Sequence, residues 1–233
     1  MKKTHLIILS LFLTSAIIIT ATVITYKALT VPKSKKYVVE TIEANSKGYI
    51  KVGIISDAQL PQEEKNLYGW DYATVMNGAD HLIKALKYYK SQNVDMIVFN
   101  GDMVNATGDY AAYSAYNKIL DYVYGEDRAE APHIIYPMGN HEFYGGNQEH
   151  NFYKSTGLPL NTRTIVNGYS FISISNAKLE KGDEELAESN DTLADGTYNE
   201  KRIEFLKEQL AAANTEDPNK PIFVFIHMPI SNI

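Results

Sequence analysis

The sequence predicts an α/β fold with a late antiparallel hairpin. Three observations support this: short apolar runs alternate with stretches of helical periodicity, a further apolar run spans residues 221–226, and residues 163–175 alternate apolar and polar side chains around Asn167-Gly168. Alternating strands and helices are typical of parallel sheets, and Asn-Gly between alternating runs indicates a hairpin with a type I′ turn. The hydrophobic content of 45% is sufficient for a sizeable core.

Four apolar runs are predicted to form the main strands, because each is short and is bounded by turn residues or polar residues. They span residues 50–55, 95–99, 133–136 and 221–226. The first and last are apolar almost throughout, which predicts buried strands. Residues 37–39 are predicted to form a short edge strand.

Three stretches have the spacing of amphipathic helices. The first runs from residue 72 to about 91, the second from about 110 to 124, and the third follows a capping box formed by Thr197 and Glu200. Tyrosines on one face of the second helix are predicted to lie in the core. His81, in the first helix, is interpreted as a surface or packing residue. The acid-rich residues 179–195 are predicted to be a solvated loop.

The N-terminal 36 residues form a separate segment. Two lysines precede an apolar run from residue 6 to about 26, longer than the roughly 7–15 residues of a signal-peptide core and close to the roughly 20 that span a bilayer. We expect an uncleaved signal anchor, with a cleaved signal peptide as the alternative, followed by one domain over residues 37–233. Lysines after the run argue against an outside domain, whereas the short basic N-terminus favours export. We expect a domain anchored at the membrane and facing outside, or secreted.

Composition excludes several kinds of site. The absence of cysteine excludes disulfides, thiolate metal sites and cysteine nucleophiles. The net charge is −6, but residues 1–36 hold six of the 22 basic residues and no acid, so the remainder has 16 basic and 28 acidic residues and a net charge of −12. Such a domain is not expected to bind nucleic acid. An anionic substrate would need a local positive charge, for which bound metal cations are the obvious source.

Polar side chains follow the four main strands. The first strand ends at Asp57 and Gln59, the second at Asp102, the third at Asn140 and His141, and the last at His227. The carboxyl ends of strands are where α/β sheets place their ligand sites. Carboxylate, amide and imidazole groups suit Mn, Fe, Zn or Mg. Two such cations can share a hydroxide and hold a phosphoryl group, while a nearby imidazole protonates the leaving oxygen. The alternative for any one of these loops is a polar turn without a ligand.

The order of these motifs resembles the calcineurin-like metallophosphoesterase family. The chain has Asp57-Ala58-Gln59, Gly101-Asp102, Gly139-Asn140-His141-Glu142 and His227-Met228-Pro229, where the family has D-x-H, G-D, G-N-H-[ED] and H. The resemblance covers about residues 50–233. It implies two packed mixed β-sheets flanked by helices.

The resemblance also implies a set of metal ligands. Asp57 and Gln59 would bind a first cation, Asp102 would bridge the two cations, and Asn140 and His227 would bind the second.

Two further residues follow from the same motif. His141 would stay off the cations, orient the phosphate and protonate the leaving group. Glu142 either orients a neighbouring group or forms a salt bridge at the surface.

The sequence departs from the family pattern in two places. Gln59 stands where histidine is usual, and its neutral amide is a weaker ligand, although family branches that act on diphosphates or diesters are similar in carrying glutamine there. No G-H-x-H motif, which completes both metal sites in the family, is present in the sequence. We therefore expect a C-terminally truncated phosphoesterase domain with an incomplete second sheet, an exposed sheet edge, weak or no metal occupancy, and reduced turnover.

Three functions remain open from the sequence. The first is hydrolysis of a small phosphomonoester, phosphodiester or diphosphate by a hydroxide that two metal ions activate. The second is a non-catalytic remnant of such an enzyme at the cell surface. The third, a structural or adhesive surface module that uses its tyrosines for contact, leaves the four polar strand ends unexplained.

Overall fold

The computed structural model describes residues 37–45, 48–60, 72–105, 110–143, 148–175 and 200–229. The predicted signal anchor, the acid-rich loop and Thr197 of the capping box lie outside these ranges. Within them, no helix is both long and apolar enough to cross a bilayer.

Seven strands and four α-helices make up the described part of the chain. The strands are β1 (Tyr37–Ile42), β2 (Val52–Ile55), β3 (Met96–Phe99), β4 (His133–Ile135), β5 (Asn161–Val166), β6 (Tyr169–Ile174) and β7 (Ile222–Ile226). The helices are α1 (Tyr72–Gln92), α2 (Tyr110–Tyr124), α3 (Gln148–Thr156) and α4 (Glu200–Glu216). The elements form two sheets with helices, so the predicted α/β class and the two-sheet arrangement are confirmed.

The first sheet is parallel and has the order β2-β3-β4. Helices α1 and α2 connect its strands, as the alternation of apolar runs and helical periodicity predicts. All three strands therefore end at the same edge of the sheet. The loops that follow them carry Asp57, Asp102 and His141.

The second sheet is mixed and has the order β1-β5-β6-β7. β5 and β6 are antiparallel, whereas β1 and β7 run parallel to their neighbours. Asn167 and Gly168 between β5 and β6 have φ angles of 50° and 77°, and a positive φ at both central residues is what a type I′ turn requires. The predicted hairpin is confirmed, and the predicted edge strand at residue 37 extends to Ile42.

Alternate side chains of β3 face opposite sides and join two cores. Ile97 and Phe99 pack against the helices, whereas Met96 and Val98 pack against the second sheet, where they meet Phe171. This alternation is the period-two pattern of a strand buried on both faces. The tyrosines of α2 belong to the helix-side core, as predicted; Tyr113 and Tyr116 are fully buried. His81 is exposed on α1.

The prediction that the first and last main strands are buried is wrong. β2 and β7 are each the end strand of a sheet, and their side chains are partly open to solvent: Ile54 is 54% exposed, Phe223 42% and Val224 40%. An apolar run shows that a strand can be buried but not which neighbours it has, because burial depends on pairing with distant strands. Helix α3 is also absent from the prediction, since its polar sequence has little periodicity.

Candidate metal centre

The loops that follow β2 and β3 run side by side. The N–H of Asp57 donates to the carbonyl of Gly101 at 3.1 Å, and the N–H of Gln59 donates to the carbonyl of Asp102 at 2.9 Å. These bonds continue the parallel pairing beyond the ends of the strands. They hold the Asp-Ala-Gln motif against the Gly-Asp motif.

Three of the predicted ligands have an unusual backbone conformation. Asp57, Gln59 and Asp102 have φ angles of 59°, 44° and 54°. Residues other than glycine seldom adopt this left-handed region. Such conformations persist where the surroundings hold them, and they concentrate at functional sites. Here the hydrogen bonds between the two loops hold them.

The loop after β4 adds His141 to this edge. The backbone N–H of His141 donates to Asp102 Oδ1 at 2.8 Å, and its Nε2 lies 3.8 Å from Asp102 Oδ2. The side chain is buried. Burial lowers the pKa of His141, with a smaller contribution from His227, while the charge of Asp102 opposes this shift. The imidazole therefore lies beside the Asp102 carboxylate and is biased toward its neutral form.

The end of β7 in the second sheet contributes His227. Its Nε2 lies 3.1 Å from Asp102 Oδ2, and its Nδ1 lies 2.8 Å from the carbonyl oxygen of Asn100. A carbonyl oxygen only accepts hydrogen bonds, so Nδ1 carries a proton and Nε2 faces the carboxylate. Two sheets thus meet at Asp102.

Two glycines make this close approach possible. A Cβ at Gly101 would lie 2.5 Å from Cγ of His227, and a Cβ at Gly139 would lie 2.2 Å from Oδ1 of Asp102. Gly101 also has a φ of 82°, which a residue with a side chain adopts only with strain. Both glycines of the predicted motifs therefore leave space for the ligand side chains.

The structure brings three predicted ligands into one cluster. One ligand atom each from Asp57, Asp102 and His227 lies within 4.8 Å of the other two. This spacing fits carboxylate and imidazole ligands around a divalent cation. Gln59 lies two residues after Asp57 in the loop after β2, and Asn140 directly precedes His141 in the loop after β4; both are half-buried.

The pKa of His227 makes cation binding depend on pH. Burial lowers this pKa, but the hydrogen bond that His227 donates to Asp102 and the charge of that carboxylate outweigh burial and raise the pKa to about 9. Below pH 9, a cation at Nε2 must therefore displace a proton. We expect the apparent cation affinity to rise about tenfold per pH unit between pH 6.5 and 8.5 and to level off above pH 9. Calorimetry in two buffers of different ionisation enthalpy should show about one proton released for the cation that binds His227; an affinity that does not change with pH would contradict this assignment.

Glu142 lies in the interior beneath the site. Its carboxylate is fully buried and accepts hydrogen bonds from the backbone N–H groups of Asp102 at 2.9 Å, Met103 at 2.8 Å and Gly139 at 2.7 Å. The hydroxyl of Tyr136 donates to it at 2.7 Å. The predicted alternative of a surface salt bridge is wrong, because the donors that satisfy this carboxylate are internal. Burial and the charge of Asp102 raise the pKa of Glu142, and its hydrogen bonds oppose this shift.

Comparisons with known proteins agree with this geometry. Residues 50–233 match the family model described as calcineurin-like phosphoesterase. Among solved structures, the chain is similar to a dimetal phosphatase from Danio rerio at 17% identity and a TM-score of 0.55, over 78% of this chain and 70% of that one. At this identity the likeness concerns the fold. No curated protein sequence matches the chain.

Proposed function

The chain belongs to the calcineurin-like phosphoesterase family, whose members are metal-dependent hydrolases of phosphate esters, and on this basis we propose that its site binds two divalent cations and hydrolyses a small phosphomonoester, phosphodiester or diphosphate. The observation that carries the proposal is the convergence of Asp57, Asp102 and His227 within 4.8 Å. These residues come from three loops on two sheets.

The proposed ligands have the roles that the motif order implies. Asp57 and Gln59 would hold one cation, Asn140 and His227 would hold the other, and Asp102 would serve both. Its carboxylate already contacts His227 Nε2 through Oδ2 and the His141 backbone through Oδ1. When bound, two divalent cations activate water and neutralise the charge of the phosphoryl group.

We assign proton transfer to His141. Its backbone is fixed by Asp102, so the imidazole stays beside the cluster without being needed as a ligand. Burial lowers its pKa, and an anionic phosphate next to the ring would favour the protonated form. The protonated ring would then give its proton to the leaving oxygen.

Location is a separate part of the proposal. The apolar run and its leading lysines support export and attachment of the domain to the outer face of the membrane. Digestion of the domain by a protease added to intact cells would agree with this, and protection would contradict it.

The test of function uses the purified chain after removal of metal by a chelator. Mn²⁺, Fe²⁺, Zn²⁺ or Mg²⁺ is added back separately, with p-nitrophenyl phosphate, bis(p-nitrophenyl) phosphate and a dinucleoside diphosphate as substrates. We expect hydrolysis that needs added cation, and calorimetry should give two cations per chain. The cation that supports the fastest hydrolysis would identify the preferred metal. Because Gln59 supplies a neutral amide, we expect the first site to bind its cation more weakly than a site with an imidazole would.

The same experiment separates the enzyme from a remnant. A folded chain that binds fewer than two cations and hydrolyses none of the substrates would overturn the proposal and favour a non-catalytic phosphoesterase domain. Weak occupancy, which the missing G-H-x-H motif predicts, would appear as activity only at high cation concentration.

A further inference from the structure

We propose that Asn100 is a positioning residue that fixes both the place and the ring orientation of His227. Asn100 directly follows β3 and is half-buried. Neither its sequence context nor the motif order singles it out. It makes two hydrogen bonds between the end of the first sheet and the end of β7.

The backbone carbonyl of Asn100 determines which ring nitrogen of His227 faces the cluster. It accepts the Nδ1–H of His227 at 2.8 Å. The ring is therefore turned so that Nε2 lies 3.1 Å from Asp102 Oδ2. A ligand imidazole whose other nitrogen donates to a fixed carbonyl has a defined tautomer and direction.

The side chain of Asn100 fixes the backbone that carries the same histidine. Its Nδ2 donates to the carbonyl oxygen of Ile226, the last residue of β7, at 3.1 Å. β3 and β7 belong to different sheets, so no strand ladder joins them. One residue thus holds His227 through its ring and through the residue before it.

The position of Asn100 is itself fixed in the first sheet. Its N–H donates to the carbonyl of Ile55 at 2.7 Å, at the end of β2. The next residue, Gly101, leaves room for the imidazole, because a Cβ there would lie 2.5 Å from Cγ of His227. The ring therefore packs directly against the backbone that orients it.

The unsatisfied oxygen of Asn100 argues against a purely structural role. Oδ1 is buried and has no hydrogen-bond partner in the part of the chain that the structure describes. A buried polar atom without a partner lowers stability, and an apolar side chain of similar size would avoid this cost. An apolar side chain would lack the Nδ2 group that donates to the carbonyl oxygen of Ile226 in β7. This donor therefore explains why the position holds asparagine.

The test compares two variants with a matched control. Asn100→Ala removes the carboxamide, and Asn100→Asp keeps its size but places an oxygen against the carbonyl of Ile226. The control is Asn117→Ala, because Asn117 also donates through Nδ2 to a backbone carbonyl, that of Ser155, at 2.9 Å on the helical side of the fold.

Two readouts are used on the full chain. The first is the affinity for Mn²⁺ and Zn²⁺ alone by calorimetry, with kcat measured at saturating cation. The second is the proton NMR resonance of His227 Nδ1–H in metal-free protein, which the carbonyl of Asn100 protects from exchange with water.

We expect both Asn100 variants to bind cation about 10- to 100-fold more weakly and to recover kcat at saturating cation to within about threefold of the original chain. We also expect them to lose the protected Nδ1–H resonance, because without the Nδ2 bond to Ile226 the ring is no longer held against the backbone carbonyl of residue 100. Asn117→Ala should reduce the unfolding midpoint while leaving affinity and resonance unchanged. Unchanged affinity and resonance in both folded variants would overturn the proposal, as would an equal loss of affinity in Asn117→Ala. The affinity measurement rests on the proposed function. If the original chain binds no cation, the proposed function fails, but the Nδ1–H resonance still tests whether Asn100 positions His227.

Discussion

Asp102→Asn is expected to lower kcat/KM for phosphate ester hydrolysis by at least about 1,000-fold, equivalent to about 4 kcal/mol, and to remove measurable cation binding. The substitution keeps the shape of the side chain but removes the negative charge at the centre of the cluster. The charged Oδ2 of Asp102 lies 3.1 Å from His227 Nε2. The same charge would attract a second cation. Steady-state kinetics and calorimetry on metal-reconstituted protein check the result.

Asp80→Asn is the matched control for this experiment. Asp80 is exposed on α1, so the same loss of one negative charge should leave kcat/KM within about twofold. A structural or adhesive module would tolerate both substitutions equally. Full retention of cation binding by folded Asp102→Asn would remove Asp102 from the centre of the site.

Glu142→Ala is expected to lower the free energy of unfolding by about 4 kcal/mol or more. The change leaves the buried backbone N–H groups of Asp102, Met103 and Gly139 without their acceptor. Each such orphaned donor costs about 1–3 kcal/mol, and the whole domain has only about 5–15 kcal/mol of stability. Urea unfolding followed by circular dichroism measures the loss.

Two further variants separate the buried carboxylate from general effects of charge. Glu208 is exposed on α4, so Glu208→Ala should change stability by less than about 0.5 kcal/mol. Tyr136→Phe removes only one of the donors to Glu142 and should cost about 1 kcal/mol. If Glu142→Ala lowers the free energy of unfolding no more than Glu208→Ala does, the Glu142 carboxylate does not hold the loops after β3 and β4 together.

Local patterns predicted most elements of this fold, but they predicted neither helix α3 nor the neighbours of each strand. Apolar alternation and the Asn167-Gly168 turn identify the hairpin, since both depend on a few adjacent residues. The exposure of Ile54 and Phe223 depends on which strand lies at the edge of each sheet. That is decided by pairing between residues far apart in the chain, which no local window contains.

The residues of the candidate site also differ in whether local sequence identifies them. Asp57, Asp102 and His227 are visible in the sequence because each has a ligand side chain directly after a strand. Asn100 and Glu142 contribute through hydrogen bonds to backbone groups of other segments. Glu142 belongs to a motif visible in the sequence, but the partners of both residues have no local signature, and only the folded backbone reveals them.

The distribution of the cluster over two sheets has a consequence for biosynthesis. Asn100 and His227 are hydrogen-bonded but are 127 positions apart in the chain. At about 5–20 residues per second, a ribosome releases the loops of Asp57 and Asp102 several seconds before the histidine that faces them. Until β7 has been translated, the carboxylates of Asp57 and Asp102 therefore lack the imidazole of His227, and the proposed cation site is incomplete.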